Sequence, residues 1–356
     1  QGVGIAIIDQ GLLVDHVEYK NRLRLYEEIH CLDREAAMHG PAVASIAVGK
    51  TVGVAPEADL YYIAEAHVKD DWERSKGDDS FSARVDFAIT AESIDRILEI
   101  NRALPKERKI RVVSLSVGWM PSHTGYREVM AAVERARQEG VFVISTALDA
   151  THGLSLMGLG REPQLDPDAP DSYSTSSWYK TYLDLAPGRP MLLVPMDSRA
   201  TASPTGATDY VFYRTGGMSW AVPYVAGLYA LSCQVKPDIT PAQFWAKALE
   251  TGDVVDVTDQ QSPDPDGTAA KSIADQVERI VANLKEHAKG DDLEGRFGTV
   301  YGQLTGVKRE RMSEPEFRVW MTEMLTVTTI GDGRKHQLGK IANPGRLIGS
   351  LQASAP

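Results

Sequence analysis

Cysteine is almost missing from this chain of 356 residues, which carries only Cys31 and Cys233. Two thiols exclude a disulfide framework and by themselves make no zinc site. A single Cys31–Cys233 bridge stays open at this level, although Cys233 ends an apolar stretch and reads as a small buried hydrophobe. Long apolar runs are missing too. The longest, Trp220–Leu231, is too short to span a bilayer. Positive charge is scarce: 38 Lys and Arg face 49 Asp and Glu, for a net charge of −11. That balance argues against nucleic acid as a partner and disfavours strongly acidic substrates. No signal-peptide pattern, internal repeat or low-complexity tract is visible. What remains, 43% hydrophobic and 24% charged residues, is an ordinary globular composition. It suffices for one large α/β domain, or for one domain with an insertion.

Against that background three segments carry chemistry. Gly216-Gly217-Met218-Ser219-Trp220-Ala221-Val222-Pro223 delivers a serine from a small-residue turn to the start of an apolar helix. Backbone N–H groups at a helix N-terminus can face a developing negative charge. Gly4-Ile5-Ala6-Ile7-Ile8-Asp9-Gln10-Gly11 reads as a buried parallel strand. Asp9 stands at its C-terminal end, where open α/β sheets place their chemistry. His39-Gly40-Pro41-Ala42-Val43-Ala44 begins a second apolar helix, with Pro41 in its first turn. The positive helix end disfavours imidazolium there and leaves His39 available as a neutral base. In isolation Asp9 would be read as a turn carboxylate and His39 as a capping side chain.

Elsewhere, strands at Leu60–Ala64, Arg111–Ser116, Val141–Ser145 and Met191–Pro195 alternate with helices at Ala91–Ala103, Tyr126–Glu139 and Pro237–Leu249. This alternation predicts an α/β fold with a doubly wound, mostly parallel sheet flanked by helices. Residues 68–82 read as a surface loop, 150–190 as extended loops with room for short strands, and 253–267 as an acidic, Pro-rich linker. An amphipathic helix is expected over Ala269–His287 and a further helix over Glu314–Leu325. The expected organisation is a main part over 1–252, a mainly helical insertion over 253–330, and a C-terminal return over 331–356.

Asp, His and Ser in that chain order resemble the subtilisin-like serine peptidases, or subtilases. The family's Asp-Thr-Gly motif, followed by a His seven residues after the Asp, is matched with Gln10 for Thr, and with Gly11 and His16 in place. His-Gly-Thr-His-Val-Ala-Gly is matched from His39 to Ser45. Gly-Thr-Ser-Met-Ala-Ser-Pro-His-Val-Ala-Gly is matched from Gly217 to Gly227, with Met218, Trp220, Val222 and Tyr224 as variants. Gly53-Val54-Ala55-Pro56 and Val113-Ser114-Leu115-Ser116-Val117-Gly118 resemble two linking segments, and Gly339–Pro344 resembles the closing one.

The resemblance implies a serine endopeptidase with Asp9, His39 and Ser219 as its triad. It further implies an extended polypeptide substrate, paired by Ser116, Val117 and Gly118 and bordered by Thr146, Ala147 and Leu148. A removed prosegment is a further implied partner, and the family tilts localisation toward secretion. His16 is expected to make a structural hydrogen bond, and Leu148, in place of a family glycine, to narrow the pocket. An oxyanion hole is implied at the Ser219 N–H and at an Asn after the Val141–Ser145 strand. That Asn is missing: residues 141–163 contain neither Asn nor Gln, and alignment puts Asp149 there. A carboxylate has no proton to donate, so three readings stand: Asp149 is protonated in an apolar site, or Thr146, Thr151 or His152 donates, or the enzyme is slow or inactive.

No cofactor is required by this chemistry. The family's calcium loop follows the His39 helix, and the path from Ala47 to Gly53 is too short for it. Asp166, Asp168 and Asp171, or Asp264 and Asp266, are weaker calcium candidates that read better as solvated loop carboxylates. Two alternatives remain at this stage. One is a pseudopeptidase that binds a protein; the other is a peptide cyclase or transpeptidase in which an amine replaces water.

Overall fold

The computed structural model describes residues 2–31, 35–66, 85–175, 191–256, 277–278, 280–282, 284–285, 292–305, 309–329 and 338–353. The expected loop at 68–82, most of the expected helix at 269–287, and Asp264 and Asp266 lie outside them.

The central sheet contains β1 (Gly4–Asp9), β2 (Leu23–Ile29), β3 (Asp59–Glu65), β4 (Ile110–Leu115) and β5 (Phe142–Ser145). All neighbours are parallel, in the order β2-β3-β1-β4-β5. Helices cover both faces. Ile5 and Ile7 of β1 and Tyr62 of β3 pack with α1 (His39–Val48) and with the later helix Met218–Val235. Ala6, Ile8, Tyr61 and Ile63 face α2 (Phe87–Ala103) and α3 (Tyr126–Gln138). Burial on both faces is why these strands read as continuous apolar runs. β2 is the exception. It is an edge strand with Arg24, Glu27 and Glu28 in its seven residues, partly exposed throughout, and so it carries no such signal.

Past β5 the chain enters the short α4 (Leu148–His152). Gly153, at φ +65°, ends α4 by returning its N–H to Asp149 O at 2.8 Å. A second sheet holds β6 (Ser155–Arg161), β7 (Tyr173–Thr175) and β8 (Met191–Pro195). Among its described residues, the region at 150–190 thus holds the end of α4 and the short strands β6 and β7 between loops. β9 (Arg199–Ala202) and β10 (Tyr210–Tyr213) form an antiparallel pair leading into α5 (Met218–Val235). α6 (Pro241–Thr251) starts with a capping box, in which Thr240 Oγ1 accepts from Gln243 N and Gln243 returns the bond.

β11 (Asp253–Asp256) occupies the start of the predicted linker and pairs antiparallel with β12 (Leu338–Ile341). The second sheet then runs β11-β12-β8-β6-β7. α7 (Leu293–Thr305) and α8 (Glu314–Thr329) precede β12, and α9 (Pro344–Ala353) follows it.

The chain divides into two compact units. One comprises 1–179, 188–256 and 338–356, and the other 180–187 and 257–337. The second has its own small core, in which Phe297 and Phe317 stack at 4.4 Å beside Val277, Val281, Met312 and Met321. Its piece at 180–187 carries no signal in the sequence.

Candidate active site

The strand order reverses around β1. From β1 the chain builds β2 and β3 on one side and then crosses to β4 and β5 on the other. The crevice beyond the C-terminal ends of the strands at such a switch point is where open α/β sheets bind ligands. Asp9 ends β1 and is buried. Its Oδ1 accepts from Gln10 N at 2.8 Å and lies 2.6 Å from His39 Nδ1. With Asp9 as acceptor, Nδ1 carries the proton and Nε2 is left as the basic nitrogen.

His39 opens α1, and Gly40 explains how it can approach so closely. A Cβ on Gly40 would fall 2.6 Å from Gln10 O and from the Tyr62 hydroxyl. The His39 side chain keeps 22% of its surface exposed, against 4% for Asp9. The pair is therefore fixed on one edge and open on the other.

Ser219 is the second residue of α5, so its N–H has no carbonyl four residues earlier in the helix. The turn before it is held by Asp197, whose Oδ1 accepts from Gly216 N at 2.6 Å. Burial pushes the Asp197 carboxyl up, against the Gly216 N–H. Ser219 and Ser116 exchange hydrogen bonds. The Ser219 hydroxyl donates to Ser116 O at 3.3 Å, and the Ser116 hydroxyl donates to Ser219 O at 3.0 Å. These bonds seat the start of α5 on the end of β4. They also leave the Ser219 hydroxyl turned to Ser116 and not to His39.

The expected substrate-binding residues separate into two groups. Ser116, Val117 and Gly118 continue beyond β4, with Val117 O accepting from Thr146 N at 3.1 Å. Thr146 is exposed, lies against Gly118, and its hydroxyl makes no hydrogen bond within the described residues. Ala147 is partly buried beside it. Leu148 does not line a pocket. It is 2% exposed and packs into the main core, because α4 turns it inward.

Asp149 lies on the outside of α4 and is exposed, so the apolar site expected to keep it protonated is not there. Two of the alternative donors are engaged elsewhere. The Thr151 hydroxyl donates back to Ala147 O and Leu148 O. His152 packs on Phe142, at the opposite end of β5 from the crevice, with ring centroids 5.0 Å apart. Burial, with Arg137 second, pushes His152 down to about 4.

His16 is fully buried and structural. Its Nδ1 accepts from Glu18 N at 3.2 Å, so Nε2 donates to Asp209 O at 2.8 Å. Glu18, missed in the sequence, does the work at the turn after α1. Its carboxylate accepts from Thr51 N at 2.9 Å, Thr51 Oγ1 at 2.5 Å, Val52 N at 3.4 Å and the Tyr210 hydroxyl at 2.5 Å. Burial opposes the charge on Glu18, but the bonds from Thr51, Tyr210 and Val52 prevail and lower its pKa.

Among the described residues no three metal-donor side chains come together, and Asp166, Asp168 and Asp171 are exposed. Asp166 Oδ1 instead accepts from Asp168 N at 2.9 Å. Cys31 and Cys233 are buried and form no disulfide, so the bridge left open by the sequence is not formed; the Cys31 thiol donates to Ala64 O at 3.0 Å. No described helix is long and apolar enough to cross a membrane.

The chain is 24% identical over 321 residues to the subtilisin-like serine protease Cur l 4.0101 of Cochliobolus lunatus, covering 83% of this chain and 59% of that one. It is 24% identical over 261 residues to the subtilisin-like serine protease pepC of Aspergillus niger, covering 68% and 45%. The chain thus spans about half the length of the curated relatives it matches. Among solved structures it is similar to the prenylagaramide maturation protease PagA, with a TM-score of 0.48, 18% identity, and 71% and 84% coverage. A cold adapted subtilisin-like serine proteinase gives 0.48 at 19% identity, with 70% and 82% coverage. The family model of the subtilases matches residues 1–268, including every strand and helix that carries Asp9, His39 and Ser219, and the chain belongs to that family.

Proposed function

We propose that this chain hydrolyses peptide bonds through an acyl-enzyme on Ser219, with His39 as general base and Asp9 as the group that orients it. The observation that carries this reading is the 2.6 Å Asp9–His39 bond at the sheet's switch point, with Ser219 at the head of α5. Catalysis begins with rotation of the Ser219 hydroxyl from Ser116 O toward His39 Nε2. Ser219 Oγ then attacks the scissile carbonyl as its proton passes to Nε2, and Asp9 stabilises the imidazolium. His39 gives that proton to the leaving amine. Water repeats the sequence and frees Ser219.

The substrate is an extended polypeptide, paired by its backbone along Ser116–Gly118. In this reading the oxyanion is held by the Ser219 N–H and the Thr146 hydroxyl, with Asp149 at the rim in place of the family's Asn. Thr146 is favoured because its hydroxyl is unengaged among the described residues and lies against Gly118, two residues after the Ser116 that bonds to Ser219. Removing one such donor costs about 10²–10³ in rate.

A second reading, a pseudopeptidase that binds proteins, draws on one observation: the Ser219 hydroxyl is bonded to Ser116 O and not to His39. The rate of Ser219 labelling by a fluorophosphonate across pH 4–9, mapped by mass spectrometry, separates the two. Rapid labelling that disappears in Ser219→Ala supports the peptidase. A folded chain that is never labelled supports the second reading.

A further inference from the structure

Trp220 follows the nucleophile directly, at the position where the family motif has Met. It is 5% exposed, and its ring lies beside the His39 imidazole in a tilted arrangement, with centroids 5.4 Å apart and planes inclined by 41°. Tyr213 of β10 backs it at 5.3 Å and 55°. Gly216 leaves room for the indole: a Cβ there would fall 2.8 Å from Trp220 Cδ1. The indole N–H is buried and makes no hydrogen bond. An unpaired buried donor is unfavourable, so the ring is not held for its polar atom.

What the ring does meet is an imidazole that must become a cation during acyl transfer. An indole face within about 6 Å of a cation attracts it, more so when both are shielded from water. The groups facing His39 are few. From β1, Asp9 holds Nδ1, and from α5 Trp220 flanks the ring. From β3 the Tyr62 hydroxyl, beside Gly40, is committed to Gln10 O at 2.5 Å. No Lys or Arg among the described residues bonds to Asp9 or His39.

We propose that Trp220 is a positioning residue for His39: its face restrains imidazole rotation while Asp9 holds the edge, and it stabilises the imidazolium formed in the transition state. This rests on the triad reading above. It also sets this chain apart from the motif it otherwise follows, since a Met side chain fills space but offers no π face.

The test replaces Trp220 in the full chain with Met, which removes the π face, and with Phe, which retains one. Trp220→Met is expected to lower kcat about three- to tenfold with little change in KM. The acid limb of kcat/KM should move to lower pH by about half a unit to one unit. Trp220→Phe should lie close to the parent chain. An NMR titration of the His39 ring protons, in a Ser219→Ala background, should show the same displacement without any turnover. A chain that never cleaves peptide would thus sink the peptidase reading and still leave the Trp220–His39 coupling measurable. Should Trp220→Met fail to fold, Trp220→Leu makes the same deletion. Parent-like kcat, acid limb and His39 titration in a folded Met or Leu variant would reduce Trp220 to a space-filler and overturn the proposal.

Discussion

Glu18→Gln is the most demanding test of how this chain secures its active-site helix. Glu18 is 2% exposed and takes four donors: two backbone N–H groups, the Thr51 hydroxyl and the Tyr210 hydroxyl. Glutamine keeps the shape but has one acceptor oxygen, so about two of the four donors lose a partner or meet the amide NH₂ group. Hydrogen bonds to a charged group contribute about 1.5–3 kcal/mol each, and a donor stranded in the interior costs about 1–3 kcal/mol. The expected loss is therefore about 3–5 kcal/mol, a substantial part of the stability of a typical domain. At about 2 °C or more per kcal/mol it lowers Tm by about 6 °C or more.

The pH dependence gives a second signature. Because the folded-state carboxyl lies below its ordinary 4.5, its contribution is complete above that value and is lost as pH falls through the folded value. Urea unfolding of both proteins, followed by near-UV circular dichroism, should show a gap that is widest above pH 4.5 and narrows as pH falls below it. A gap under about 1 kcal/mol at pH 7, or one that does not narrow on acidification below pH 4.5, would refute the reasoning.

Three further outcomes are expected. Asp149→Asn should keep or raise kcat, by up to about 10²-fold, since it exchanges an exposed carboxylate for a donor; a large fall in steady-state assays would remove Asp149 from the rim of the oxyanion site. Thr146→Val should lower kcat about tenfold or more with KM little changed, and an unchanged kcat would return the second donor to another group. Cys31 and Cys233 should resist a thiol reagent in the folded chain and both react in denaturant, with burial holding the Cys233 thiol up at about 11; a Tm that falls on adding reductant would contradict the absence of a disulfide between them.

What could be read beforehand divides along a physical line. The places of Asp9 at the end of β1, His39 at the start of α1 and Ser219 at the head of α5 were legible because each lies at the end of an apolar run, and burial makes such runs continuous. β2 was not, because an edge strand with charged side chains looks like a loop until β3 supplies its hydrogen bonds. β11 was hidden in the same way, since Asp253–Asp256 becomes a strand only by pairing with β12, 82 residues onward at Leu338. Leu148 was misplaced for a different reason. Alignment gives a position along the chain but not a side-chain direction, and the single turn of α4 sends Leu148 to the core while leaving Asp149 outside. Glu18 gave no signal at all, because its role depends on Tyr210, which lies 192 positions away.

The pairing of β11 with β12 has a consequence for how such a chain can change over evolutionary time. Asp256 and Leu338 are register partners, so the two points where the intervening segment leaves and rejoins the sheet are neighbours, about 5 Å apart. A tight hairpin could join them, and so can 81 residues, because the flanking strands see the same boundary either way. Growth or replacement at this junction need not alter the register in which β11 and β12 pair. The fold thus carries a natural graft point, where one inserted segment can be exchanged for another between two strands that are already paired.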